Sequence, residues 1–195
     1  MTTTPSLLKQ YKETVVPALQ EQLGLKNVNQ VPKLDKIVVT SHVGNTQTER
    51  KTATEDAVRE IARITGQNPS VVYARKSVAN FKVRAGETVG ARVTLRGTRM
   101  WEFLDRFINI TAPNIRDFRG FSPKSFDGQG NYAAGIADQS IFPEIELDKI
   151  KRNIGFDLIF VTTASNDEHG KLFLELLGFP FRKPQESKEA TEAAA

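Results

Sequence analysis

Apolar residues recur along this chain with two periods, and each switch between periods marks a new element. Near the start, Leu7, Leu8, Tyr11, Val15, Leu19 and Leu23 share one face at helical spacing. Ser6 is placed to cap this helix, Pro17 to kink or split it, and Gly24 to close it. Residues 35–43 read as a strand. Thr46 and Glu49 have capping-box spacing and predict a helix running to Thr65, with Ala57, Val58, Ile61 and Ile64 inward and Gly66 as its stop. Ser70 to Tyr73 is a short strand, and residues 87–96 carry the cleanest alternation in the chain.

After that strand, Thr98 is placed to cap a helix. Trp101, Leu104 and Ile108, or Phe103 and Phe107, supply its apolar spacing, and Pro113 ends it. Asn114 to Asn131 is a long glycine-bearing loop. Tyr132 to Ile136 and Gly155 to Thr163 read as further strands, and Asn166 caps a last helix through Leu177, closed by Gly178. Strands and helices in this mixed order predict an α+β fold: a mostly antiparallel sheet with helices on one face and the other face open. There is no internal repeat and no linker, so residues 1–183 are expected to form a single domain. Residues 184–195 contain no large apolar side chain, and a disordered tail is expected there.

The open face gains chemical content from residues 88–96, Thr-Val-Gly-Ala-Arg-Val-Thr-Leu-Arg. Side chains alternate across a strand. Val89, Ala91, Val93 and Leu95 therefore point to the core, and Thr88, Gly90, Arg92, Thr94 and Arg96 to the other side. That side offers two guanidiniums, two hydroxyls and a glycine that lets another backbone approach closely. It reads either as a solvated face or as a surface for phosphates and sugars.

Charge sharpens this picture. The net charge is only +4. Yet Arg75, Lys76, Lys82, Arg84, Arg92, Arg96 and Arg99 fall within one stretch whose single acid is Glu87. The tail carries Lys188 against Glu186, Glu189 and Glu192, so the basic excess is concentrated rather than scattered. Inside the basic stretch, Ala74 to Arg84 is too long for a tight turn. Phe81 lies among its cations. It is either a grip for a nucleic-acid backbone or base, or a mobile hairpin tip with Phe81 turned inward. In the loop Arg116 to Tyr132, Phe118, Phe121, Phe126 and Tyr132 are expected to anchor on the core while the cations face out.

Several classes drop out. The chain has no cysteine, which excludes disulfides, thiol nucleophiles and cysteine-ligated metals. Only His42 and His169 could serve histidine chemistry, and each reads as structural or surface. No dinucleotide fingerprint, phosphate-binding loop or nucleophile elbow is present. The first residues, Met-Thr-Thr-Thr-Pro-Ser, resemble neither a signal nor a transit peptide, and no apolar run is long enough to span a membrane. The expectation is a cytoplasmic, non-catalytic protein with no cofactor, metal, membrane or small-molecule substrate. A protein–protein adaptor with a basic patch for an acidic partner, and an enzyme acting on nucleotides, are the rivals.

The same segments carry a resemblance. Ala-Arg-Lys-Ser-Val-Ala at 74–79, Val-Thr-Leu-Arg-Gly at 93–97, Met-Trp-Glu-Phe at 100–103 and Ile-Arg-Asp-Phe-Arg-Gly at 115–120 resemble bacterial large-subunit ribosomal protein five. Lys-Ser-Phe-Asp-Gly at 124–128, Gly-Asn-Tyr at 130–132, Ile-Phe-Pro-Glu at 141–144 and Gly-Phe-Pro-Phe at 178–181 do so too. The resemblance covers about residues 6–183. It implies an RNA-recognition-like two-layer sandwich in the large ribosomal subunit, bound to 5S ribosomal RNA in the central protuberance. It also implies contact with peptidyl-site transfer RNA through a basic loop, contact with 23S ribosomal RNA, and a bridge to small-subunit ribosomal protein thirteen.

By position, the 5S RNA contacts fall on Thr40, Gln67, Thr94 and Arg96, and Gly90 and Arg92, placed on the same face by alternation, are expected to join them. The transfer-RNA loop is Arg75, Lys76, Ser77, Phe81, Lys82 and Arg84, and Arg116, Arg119 and Lys124 form an inter-subunit or ribosomal-RNA contact loop. One motif departs. Where that family usually has Asn-Met-Gly-Val-Gly, residues 40–44 read Thr-Ser-His-Val-Gly. Thr40 loses the amide, and His42 stands in place of a glycine.

Overall fold

The computed structural model describes residues 5–43, 50–146, 150 and 152–182. The Thr46–Glu49 capping box and the 184–195 tail lie outside these residues. The elements are α1 (Ser6–Gln10), α2 (Val16–Leu23), β1 (Leu34–His42), α3 (Arg50–Thr65), β2 (Ser70–Tyr73), β3 (Thr88–Leu95), α4 (Gly97–Arg106), β4 (Tyr132–Ile136), β5 (Phe156–Thr162) and α5 (Asp167–Leu176). The strands form one sheet in the order β2-β3-β1-β5-β4, antiparallel throughout. This is the α+β architecture expected from the alternating periods.

The side-chain alternation sorts the sheet into two faces. Ile37, Val39, Ala91, Val93, Leu95, Leu158, Phe160, Tyr132 and Ala134 are buried beneath the helices. Ala57, Ile61 and Ile64 of α3 face them, with Met100, Trp101, Phe103 and Leu104 of α4 and Phe173 and Leu174 of α5. The N-terminal helices close this layer from outside. Tyr11 lies 5.3 Å from Trp101 and 5.9 Å from Phe173, centroid to centroid, and its hydroxyl donates to the Pro32 carbonyl.

Three local expectations are corrected. Pro17 does not split the first helix. A π-turn at Tyr11–Val15 absorbs the proline, with the Val16 N–H bonding the Tyr11 carbonyl, and the helix runs on to Leu23. A second π-turn, Phe107–Thr111, precedes Pro113 in the same way. Ser6 lies inside α1 rather than at its cap, which is Pro5, and its hydroxyl donates to Asp105 on α4. Thr98 does not cap α4 either: Arg96 takes the extended cap position, and the helix starts at Gly97. Asn166 does hold the cap position of α5, without a side-chain hydrogen bond.

Candidate nucleic-acid interface

No helix among those described covers the sheet's second face, and pairing fixes who meets there. Thr40 on β1 stands between Arg92 of β3 and Asp157 of β5. Arg92 is paired on its other side with Ser70 of β2, whose hydroxyl donates to the Arg92 carbonyl at 3.1 Å. One register step away, Thr94, Val38, Ile159 and Ala133 form a second row. Arg92 and Arg96 are exposed, Thr94 is half-buried and Thr40 buried. Neither arginine has an ion-pair partner among the described residues. The face therefore offers free guanidinium forks beside hydroxyls, with a half-buried aliphatic floor.

Two of the expected contact residues also have structural work. Gln67 donates its amide to the Thr94 carbonyl at 3.3 Å, tying the end of α3 to β3. Gly90 is buried, and its open space is filled from within the sheet: a Cβ there would collide with the Ser41 carbonyl of β1. The close backbone approach expected at Gly90 is thus made by β1.

The basic loop is an ordered hairpin that continues β2 and β3. Val78 and Val83 exchange backbone bonds of 2.9 and 3.2 Å, and the Lys82 N–H closes the tip onto the Ala79 carbonyl. Lys82 takes a left-handed backbone at φ 49° to make that turn. Ser77 serves the hairpin itself, since its hydroxyl accepts the Ala85 N–H at 2.9 Å. Phe81 does not turn inward: it is 74% exposed.

An arginine that sequence reading missed anchors the base. Arg50 of α3, itself buried, donates to the Glu87 carboxylate at 2.6 Å and to the Phe81 carbonyl at 3.2 Å. The stretch's one acid is therefore spent on Arg50. Arg75, Lys76, Lys82 and Arg84 remain exposed around Phe81 without an ion pair among the described residues.

The Arg116–Tyr132 loop lies at the opposite edge, outside β4. Phe121 stacks 5.7 Å from Phe107 and 5.3 Å from Phe179, and Phe126 sits 4.8 Å from Tyr132. The Tyr132 hydroxyl donates to the Ser122 carbonyl at 2.7 Å, and burial pushes its pKa up to about 12. The aromatics anchor, as expected, and Arg116, Arg119 and Lys124 face outward. Arg116 and Arg119 line an open cleft of about 850 Å³ with Phe118, Gly135, Asp138 and Arg182. Two strands, β1 and β5, and β4 itself separate these cations from Arg92, so the structure makes them a separate surface.

Sequence reading also passed over Asp157 and Ser70. Alternation along residues 155–163 already placed Asp157 with Ile159 and Val161 on the open side. Which residue it would meet depended on register. Among the described residues, no group of three or more His, Asp or Glu could hold a metal ion, and no helix is long and apolar enough to cross a membrane.

An open antiparallel sheet with arginines unpaired among the described residues, extended by a cationic hairpin with an exposed phenylalanine, defines an α+β protein with an open cationic face. Residues 27–84 match the family model described as ribosomal protein L5, and residues 88–181 match that of the ribosomal L5P family C-terminus. The chain belongs to the ribosomal protein L5 family, and with it to the structural, non-enzymatic proteins of the ribosome. It is 54% identical over 179 residues to large ribosomal subunit protein uL5 of Acidothermus cellulolyticus, covering 92% of this chain and 91% of that one. It is 52% identical over 182 residues to the uL5 of Streptomyces coelicolor, covering 93% and 98%. With the uL5 of a Thermoanaerobacter species it shares 52% identity over 177 residues, covering 91% and 98%.

Proposed function

We propose that this protein is a structural component of the large ribosomal subunit that docks its open sheet face on 5S ribosomal RNA in the central protuberance. Thr40, Arg92, Thr94 and Arg96 make the contact. The Arg75–Arg84 hairpin reaches peptidyl-site transfer RNA. The separate Arg116, Arg119 and Lys124 surface serves 23S ribosomal RNA or the bridge to small-subunit ribosomal protein thirteen. The observation that carries this reading is the row Ser70–Arg92–Thr40 on an uncovered face, with its guanidinium free of any acid partner among the described residues.

The mechanism is neutralisation and shape. A guanidinium fork meets phosphate oxygens in a bidentate pair and releases counterions, so affinity falls steeply with salt. The hydroxyls of Thr40 and Thr94 fix register through sugar or phosphate oxygens. Exposed Phe81 supplies a stacking plane while its four cations hold the backbone.

Filter binding of 5S RNA tests this. Arg96→Ala is expected to weaken binding by about 1–3 kcal/mol with the circular dichroism spectrum unchanged. Changing Arg75, Lys76, Lys82 and Arg84 together to alanine is expected to spare 5S RNA affinity and to lower transfer-RNA retention on assembled ribosomes. Undiminished 5S binding by Arg96→Ala overturns the sheet-face contact. Loss of 5S binding in the fourfold variant overturns the division into two surfaces.

A further inference from the structure

His42 and Asp157 meet on the sheet face assigned above to RNA. His42 is the last residue of β1, and alternation puts it on the same side as Thr40. Asp157 is paired with Thr40 from β5. The His42 Nδ1 lies 3.6 Å from the Asp157 Oδ2, and both side chains stay about three-fifths exposed. On β3 the partner of His42 is Gly90, which has no side chain to cover the ring.

Asp157 is a misfit for a surface that meets phosphates. It stands one strand from Arg92, in the same row. As a bare carboxylate it repels RNA and draws on the field of that arginine. The His42 imidazole, 3.6 Å away, stands over it. We infer that His42 is a further RNA-contact residue of this chain, held by Asp157. With Nδ1 turned to the carboxylate, the ring presents Nε2 to the RNA, and without the ring Asp157 is left to oppose the phosphates. This rests on the proposed RNA contact of the sheet face.

Register fixes what surrounds the pair. Arg92 of β3 shares the row of Asp157, β2 contributes Ser70 and Val72 at these registers, and β4 contributes Gly135 beside Asp157. His42 is the ion-pair partner of Asp157.

The experiment is 5S RNA binding by the full chain at one fixed pH and salt concentration, read by fluorescence anisotropy. His42→Ala is expected to weaken binding roughly two- to fivefold, the size of an exposed polar contact. Asp157→Asn is expected to tighten binding, because it removes the carboxylate that opposes the phosphates. If His42→Ala leaves the affinity unchanged, or if Asp157→Asn fails to tighten binding, the inference is overturned while the RNA reading stands. If wild type does not bind 5S RNA, the RNA reading falls and the role of the pair falls with it.

Discussion

Glu60 is half-buried on α3 at a place where the fold gives it little help. Its Oε2 has no hydrogen-bond partner among the described residues. Loss of water, with Asp56 one turn before it, pushes the carboxyl up to about 7 against the pull of Arg63. The folded chain therefore holds a proton on Glu60 that the unfolded chain releases nearer pH 4.5. Where the folded state binds more protons, stability falls as pH rises. Glu60 thus costs stability progressively from about pH 5 to pH 7 and above. Glu60→Gln is expected to stabilise the protein at pH 8 by about 1 kcal/mol, a figure kept small because the group is partly solvated. At pH 5 the two proteins are expected to be nearly equal. Urea midpoints at both pH values check this, and an equal gain at pH 5 and pH 8 would place the cause in packing rather than in the charge.

At the scale of elements, the Asn114–Asn131 loop is held by helix α5. The Asp167 carboxylate, in the first turn of α5, accepts the N–H groups of Gly128 and Gly130 at 3.1 and 2.9 Å. Gly170, one turn on, lies against the Gly130 backbone so closely that a Cβ would come within 2.6 Å of its carbonyl oxygen. Glycine to alanine inside a helix ordinarily gains about 1 kcal/mol. Here the sign reverses: Gly170→Ala must push the loop away, and a loss of about 1–3 kcal/mol is expected from overpacking. Thermal melting reads the difference, and an unchanged or raised melting temperature would mean that the loop yields freely. Nothing local in the sequence marks Gly170 as a contact, because its neighbour lies forty residues away in the chain.

The same boundary runs through the rest of the fold. Strands β1, β3, β4 and β5 were legible to within a residue or two because alternation is a local property. The outward direction of Arg92, Thr94 and Arg96 was legible for the same reason. Register was not, since pairing joins distant segments. Asp157 beside Thr40, the Ser41 carbonyl in the space at Gly90 and the Arg50 clamp on Glu87 therefore emerged only in the folded chain. Local signals also misled where backbone geometry offered another route. A π-turn lets the first helix pass Pro17, and α4 begins one residue ahead of its best capping side chain.

Over the whole molecule, charge is divided more sharply than the net value of +4 suggests. Seven cations and one acid lie between Arg75 and Arg99, and that acid is neutralised by Arg50 from outside the stretch. Residues 184–195 carry three acids and one cation. A chain this small projects its summed field over distances comparable to the screening length, about 8 Å at physiological salt. The charge of the tail therefore opposes the attraction of the whole protein for a polyanion. We propose that residues 1–183 fold as one domain without it, since residues 184–195 bring no large apolar side chain to any core. Deleting 184–195 raises the formal net charge by two. The shortened chain is expected to keep the parent melting temperature and to associate faster with 5S RNA at low salt, with the difference vanishing as salt rises and the field is screened. A lowered melting temperature would show that the tail contributes to packing. A rate gain that persists at high salt would show that it blocks the RNA surface by contact, because only the electrostatic part of the effect is erased by counterions.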